Sequence, residues 1–410
     1  MRIHQIYIQI WTAAFVGCMV LDAAASSGEF ARNGAIRENG KLGDHDAADI
    51  SFLLRQPWNQ QSNHRMSYYP AIFIFGDSLS DVGNNNNLVT LAKATRLPYG
   101  RDFPGGKPTG RFSNGLIGPD FLGHQSEYIG LPTPPPFLSA GNNILQGVCF
   151  ASGSAGILNS SGNIYGEHIP LTKQVTYFAN VRQELQARLG EEGTKDLLGK
   201  SLFYFNFGSN DYVTNYFLTN GRVPSLLQAQ YTPSQFQDLL LSNFALRIEE
   251  LYAMGARKMA IFGLSALGCL PFQRLIRNGS PTTCVESINE IVRSYNVALL
   301  NHVHALQAAH PDAVFTYLDS YRLIDSIIRQ PSAYGLENVY AGCCGSGRFN
   351  GLPTCSVPRS YNVCEDASKY LFWDFVHPTS KIYKLATAKF WTGSYPDAIP
   401  YNLRELALAS

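Results

Sequence analysis

Short apolar runs alternate with amphipathic stretches along this chain, and the alternation predicts an α/β fold of three layers, α/β/α, around a central parallel sheet of about five strands. Two observations carry the prediction. The apolar runs lack the polar alternation of a half-exposed strand, so they suit strands covered on both faces. The segments between them are long enough for the crossover that parallel strands require, and several repeat apolar residues at helical spacing.

The strands follow in order. Ala71–Phe75 is wholly apolar, with two isoleucines and two phenylalanines. Gly147–Phe150, Leu202–Phe207, Lys258–Phe262 and Val314–Leu318 are further short runs of this type. Between Thr232 and Met254, the residues Phe236, Leu239, Leu240, Phe244, Ile248 and Leu251 recur at three and four, and Pro233 suits a first helical position. Val285, Ile288, Ile291, Val292, Tyr295, Leu299, Val303 and Leu306 repeat the pattern, and a last helix is expected from about Thr379 to Trp391. The segment Leu97 to Pro136 is rich in glycine and proline and carries few helix or strand signals. It reads equally as an ordered surface loop or as a cover contacting substrate.

At 410 residues the chain permits one large domain or two ordinary ones, and no internal repeat or second boundary is visible. Hydrophobic residues make up 45% and charged residues 15%, values of a globular chain. Lys plus Arg is 32 and Asp plus Glu 31, so the basic excess of a nucleic-acid binder is missing. Arg2 and His4 precede a largely apolar run from Ile6 to Leu21, followed by small residues with an Ala23-Ala24-Ala25 cleavage pattern. Residues 1–27 therefore read as a secretory signal peptide; the rival, an uncleaved anchor, wants roughly 20 apolar residues. Residues 28–66 are polar and aperiodic and read as a leader, so the folded domain is expected over 67–410.

Eight cysteines agree with export. Cys18 would leave with the signal. Cys269 and Cys284 flank one short loop, and Cys343, Cys344, Cys355 and Cys364 crowd a glycine-rich stretch. In an oxidising compartment these read as disulfides of open connectivity, and no paired Cys-x-x-Cys supports zinc. Cys149, in an apolar run, is the expected free thiol. Asn159-Ser-Ser and Asn278-Gly-Ser are possible glycosylation acceptors.

The chemistry concentrates where the strands end. Gly76 and Asp77 break the first strand and Ser78 follows at its carboxyl end, where open α/β sheets hold ligands. A serine nucleophile needs a base, a group to orient the base, and donors for an oxyanion. His377, last of nine histidines, lies three residues after Asp374 in an aromatic context just before a helix, so one turn can present both. Asp-x-x-His is common by itself. Asn210, in Gly208-Ser-Asn-Asp, reads as an amide donor or as a turn former. The small residues of Ala151-Ser-Gly-Ser-Ala-Gly let backbone N–H groups approach a substrate, or simply make a tight turn. Each is ordinary alone; together they gather at one edge of the expected sheet.

Phe75-Gly-Asp-Ser-Leu-Ser-Asp-Val-Gly-Asn-Asn, Gly208-Ser-Asn-Asp and Asp374-Phe-Val-His-Pro-Thr, in that order, resemble the first, third and fifth blocks of the plant-type GDSL esterase/lipases, in the SGNH hydrolase superfamily. Lys107-Pro-Thr-Gly-Arg-Phe-Ser-Asn-Gly and the Cys343-Cys-Gly stretch also look like the plant branch, and the resemblance runs from about residue 68 to the C-terminus. It implies a flavodoxin-like α/β/α domain and a secreted, extracellular or cell-wall hydrolase of acyl esters without a cofactor. It also implies Ser78 as nucleophile, His377 as base and Asp374 as its partner. The oxyanion hole would comprise the N–H groups of Ser78 and of the Gly153–Ser154 turn, with the Asn210 side chain. The second block departs from the pattern: many relatives carry asparagine where Cys149 stands, and glycine is frequent at the position of Ser154. The alternatives are an acyltransferase of the cutin-synthase type, a non-catalytic secreted binding protein on the same fold, and a metallophosphoesterase suggested by Gly76-Asp77 and Asp81. The last wants a Gly-Asn-His-Asp run, and Gly208-Ser-Asn-Asp lacks the histidine.

Overall fold

The computed structural model describes residues 67–123, 128–355, 357 and 360–409; the expected signal peptide and leader lie outside the described residues. Ten strands occur there: β1 (Ile72–Gly76), β2 (Gly147–Cys149), β3 (Leu202–Asn206), β4 (Lys258–Phe262), β5 (Val314–Leu318), β6 (Asn338–Gly342), β7 (Cys344–Gly345), β8 (Asn362–Val363), β9 (Tyr370–Phe372) and β10 (Ala398–Ile399). The principal sheet runs β10-β5-β4-β3-β1-β2. Its first five strands in chain order are parallel, as their apolar runs predict. The sixth, β10, pairs antiparallel with β5 and is two residues long, too short to leave a periodic signal.

The five longer helices are α1 (Leu171–Lys200), α2 (Pro233–Ala253), α3 (Glu286–Ala309), α4 (Ser320–Arg329) and α5 (Ser380–Thr392). Three match the periodicities above. In α2, Thr232 caps the N-terminus by accepting from Gln235 N–H, and Gln235 returns the bond, a reciprocal box that explains why the helix starts there. The pattern of α1 is harder to read because Gly190 leaves helical geometry and the residues after it are mostly polar and exposed.

Side chains alternate across the pleat and sort the layers. Phe73, Phe75, Phe203 and Phe205 point to one face, where they pack with Phe178 of α1 and Phe244 of α2. On the other face Tyr204 packs with Phe262, and Phe262 meets Phe390 of α5. The result is the expected α/β/α sandwich. The chain switches direction at β1, which lies between β2 and β3, and the crevice outside the carboxyl ends of β1 and β3 is where such sheets hold ligands. Ser78 and Asn210 follow those two strands.

Two smaller sheets lie downstream. β6 pairs parallel with β9, and β7 antiparallel with β8. Disulfides close this region through Cys343–Cys364 and Cys344–Cys355, and Cys269–Cys284 closes the earlier loop. Cys149 is buried and free, its thiol donating to Ser80 C=O. Among the described residues no helix is long and apolar enough to cross a membrane.

Candidate active site

The turn after β1 is pinned from several directions. Gln174 reaches up from α1 and brackets Gly76, accepting from its N–H at 3.0 Å and donating to its C=O at 2.8 Å. Asp81 accepts from the N–H groups of Gly83 and Asn84 at 2.7 and 2.6 Å, and from Gly153 N–H at 3.1 Å. Asn84 donates to the carbonyls of Cys149 and Ala151, and Asn85 to that of Gly153. Asp81 and these asparagines thus bind the Ser78 turn to the end of β2. That explains chemically why the Asp-Val-Gly-Asn-Asn run accompanies Gly-Asp-Ser. Burial pushes the Asp81 carboxyl up to about 6, against the pull of those N–H groups.

The turn after β3 is built similarly. Asp211 is fully buried and accepts from Ile157 and Leu158 N–H and from the Ser161 hydroxyl. A side chain on Gly156 would put its Cβ 2.7 Å from both Asp211 carboxylate oxygens, so glycine is required there. Asp211 opens a π-helix, Asp211–Tyr216, a form common at functional sites. Asn210, just before it, donates one amide N–H to Ala155 C=O at 2.9 Å. An amide nitrogen carries two hydrogens, so the other remains for a ligand.

Asp374 and His377 arrive off the sheet, on the turn between β9 and α5. Asp374 accepts from Val376 and His377 N–H at 2.9 and 2.8 Å, a local bend closed by Trp373 N–H donating to His377 C=O. His377 Nδ1 lies 2.7 Å from Asp374 Oδ2, which fixes the proton on Nδ1 and leaves Nε2 as the acceptor. Nε2 lies 2.8 Å from Ser78 Oγ. The three side chains, the pair Ser78 and His377 being 299 residues apart, form one continuous buried chain. Burial alone would raise the Asp374 carboxyl, but the His377 charge and hydrogen bonds from His377, Tyr99 and Val376 hold it below the ordinary range.

This geometry coincides with a family assignment. Residues 72–390 match the GDSL-like lipase/acylhydrolase family. The chain belongs to that family. A GDSL esterase/lipase of Arabidopsis thaliana is 39% identical over 365 residues, which covers 88% of this chain and 94% of the relative. A second from the same plant is 38% identical over 376 residues, covering 87% and 95%, and GDSL esterase/lipase 7 is 38% identical over 364 residues, covering 87% and 97%.

Within this GDSL protein the expected oxyanion donors divide. Ser78 N–H and Ser154 N–H have no hydrogen-bond partner among the described residues. Gly153 N–H is directed at Asp81, so the turn offers the N–H of Ser154 and not that of Gly153. Ser154 adopts φ 67°, the left-handed region, and its buried hydroxyl is also unpartnered. Asp81, which motivated a metal-dependent reading, is engaged by backbone N–H groups of its own turn and of Gly153.

Sequence reasoning missed several supporting groups. Gln174 sits within a helix and carries no local signal. Asp211 is visible in the sequence beside Asn210, but its burial between two turns is not. Tyr99 donates to Asp374 Oδ2 at 2.6 Å, and the ring of Phe112 lies 5.0 Å from that of His377. Both belong to the glycine- and proline-rich segment. That segment reaches behind Asp374 and His377, a position that the sequence does not disclose. Asp77, beside Ser78, is buried. Burial pushes its carboxyl up to about 7, opposed by Leu79 N–H and the His377 charge and assisted by Asp211.

Proposed function

We propose that this chain is a secreted carboxylic ester hydrolase that works through an acyl-enzyme on Ser78. The observation that carries the reading is the unbroken Ser78–His377–Asp374 hydrogen-bond chain at 2.8 and 2.7 Å. Family membership and the names of the relatives, GDSL esterase/lipases, support ester chemistry. Three disulfides and the apolar N-terminal run support export.

Ser78 Oγ attacks the ester carbonyl carbon while Nε2 of His377 takes its proton. The carbonyl oxygen becomes an oxyanion, met by the N–H groups of Ser78 and Ser154 and by the free amide hydrogen of Asn210. Collapse expels the alcohol, which leaves with the proton from His377. Water then repeats the sequence and releases the acid. Asp374 holds the tautomer throughout and stabilises the imidazolium; the proton stays on the imidazole.

The test is hydrolysis of p-nitrophenyl esters from acetate to palmitate by the wild type and Ser78→Ala, with fluorophosphonate labelling of each. The wild type should hydrolyse at least one chain length and label at Ser78. Ser78→Ala should lose about 10⁴-fold or more in kcat and all labelling. A Ser78→Ala protein at full rate would overturn the mechanism.

A further inference from the structure

Asp374 is expected to orient His377, yet one of its oxygens has a second donor. Oδ1 takes the N–H groups of Val376 and His377 and lies 2.9 Å from His377 Nδ1. Oδ2 is shared: His377 Nδ1 lies at 2.7 Å and the hydroxyl of Tyr99 at 2.6 Å. Tyr99 is 275 residues from Asp374 in the chain, so no local turn accounts for the contact. Its ring is held edge-on by Phe112 and Trp373, each 6.2 Å away between centroids. Phe112 in turn covers His377. The segment is fastened on both sides of the contact. Arg101 donates to Cys364 C=O at 2.7 Å and lies over the Trp373 ring, and Asn114 accepts from Ser380 N–H at 2.8 Å.

We infer that Tyr99 is a positioning residue for the acid–base pair, which sets the orientation of Asp374 and limits the negative charge that His377 feels. The inference rests on the Ser-His-Asp reading above. Tyr99 and His377 compete for the charge of one carboxylate, most directly at Oδ2, the oxygen nearer to Nδ1. A hydrogen bond to a carboxylate stabilises its charge and draws electron density toward the donor. What Tyr99 draws is withheld from the imidazolium that forms during attack. Burial, with the Asp374 charge beside it, keeps the phenol protonated well above the ordinary tyrosine range, so it remains a donor at any working pH.

Removing the donor therefore has a definite sign. Without Tyr99 O–H, Asp374 pulls harder on protonated His377 and makes the imidazole more basic. The acid limb of kcat/KM then moves to higher pH. Asp374 also gains freedom to rotate, which lowers kcat and leaves KM alone. Other titratable groups act on the pair. Asp77 lies toward His377, and Tyr165 and Tyr383 toward Asp374. All three side chains are present in every variant, and Asp77, which burial pushes up to about 7, titrates within the same limb, so Tyr99 is read from the difference between profiles.

The experiment measures pH profiles of kcat and kcat/KM on p-nitrophenyl butyrate for the wild type, Tyr99→Phe, Asp374→Asn and the double variant, with melting temperatures as a check on folding. Tyr99→Phe should shift the acid limb up by about half a pH unit or more and lower kcat about three- to tenfold, with KM within about twofold. In the Asp374→Asn background the same change should do less than about twofold, because its target is gone. Incorporating 3-fluorotyrosine at position 99 keeps the fold and strengthens the donor, so the limb should move the other way. Superimposable profiles for the wild type and either Tyr99 variant would overturn the inference. So would an equal Tyr99→Phe effect without the Asp374 carboxylate. Wild-type activity in Asp374→Asn alone would instead sink the underlying triad.

Discussion

Ser78 and His377 meet at 2.8 Å but are held by unlike means. Ser78, Ser154 and Asn210 hang from the ends of three adjacent parallel strands, β1, β2 and β3. Their turns are tied together by buried polar side chains, with Gln174, Asp81 and Asp211 each spanning backbone groups that a turn leaves open. Asp374 and His377 have no such sheet beneath them. They follow β9, a three-residue strand, and the backbone of Cys343 and Cys344 donates to Phe372 and Trp373 at 2.9 and 2.7 Å. Both cysteines are in disulfides, and the 97–114 segment braces the far side. One half of the site is thus carried by regular hydrogen bonding and the other by covalent and long-range contacts. The difference predicts different failures. Damage to the strand-borne half should cost rate at unchanged stability, and damage to the loop-borne half should cost both.

The largest effect is expected on the strand-borne half. Asn210→Ala removes the side-chain donor, and the usual size of such a loss is about 10²–10³-fold in kcat. The bond to Ala155 C=O is lost as well, but Asn210 is only half-buried, so water can replace it. The melting temperature should therefore move by no more than a few degrees. A kcat within threefold of wild type would remove Asn210 from the oxyanion hole and leave its turn-forming reading.

A middle-sized effect falls on the loop-borne half. Replacing Cys343 and Cys364 together by serine opens a loop of 21-residue separation, at a cost of about 2–4 kcal/mol in stability. Chemical denaturation reads that loss. Because Cys343 N–H supports the strand leading into Asp374, kcat should also drop, by several-fold, at a temperature where the variant is fully folded. If kcat held while stability fell, the brace would be serving the fold alone and the contrast between the halves would weaken.

The same division governs what the sequence discloses. Strands β1 to β5 are short, apolar on both faces and bounded by glycine or polar residues, so they are legible one at a time. Ser78 and Asn210 inherit that legibility as the residues where those strands stop. The Asp374–His377 pair is visible as a spacing in an aromatic context, but its supports are not. Tyr99, Arg101 and Phe112 lie in a segment with no periodicity, and the bonds from Tyr99 to Asp374 and from Arg101 to Cys364 span 275 and 263 residues. The disulfide pairing was open for the same reason, since three pairings of the four late cysteines suit a glycine-rich stretch equally. Gly153 shows the remaining limit. Two consecutive N–H groups of one turn look alike in sequence, and only the position of Asp81 decides which is engaged.

The smallest expected effect tests the join between the strand-borne turns. Ser154 holds φ 67°, a conformation that costs an L-residue roughly 1–2 kcal/mol and costs glycine almost nothing. Its buried hydroxyl finds no partner among the described residues, which adds to the cost. Glycine at this position gives back part of the gain through its larger unfolded-state entropy, about 0.5–1 kcal/mol. Ser154→Gly should accordingly stabilise the protein by about 0.5–1 kcal/mol, read as a rise of a few degrees at most in melting temperature. The N–H is retained, so kcat should stay within about twofold if the backbone alone meets the oxyanion. A stabilised variant with unchanged kcat fixes the N–H as the working group. A stabilised variant that loses tenfold or more would show that the unpartnered hydroxyl is itself aimed at the reacting oxygen, making the end of β2 a two-donor support where its neighbours supply one each.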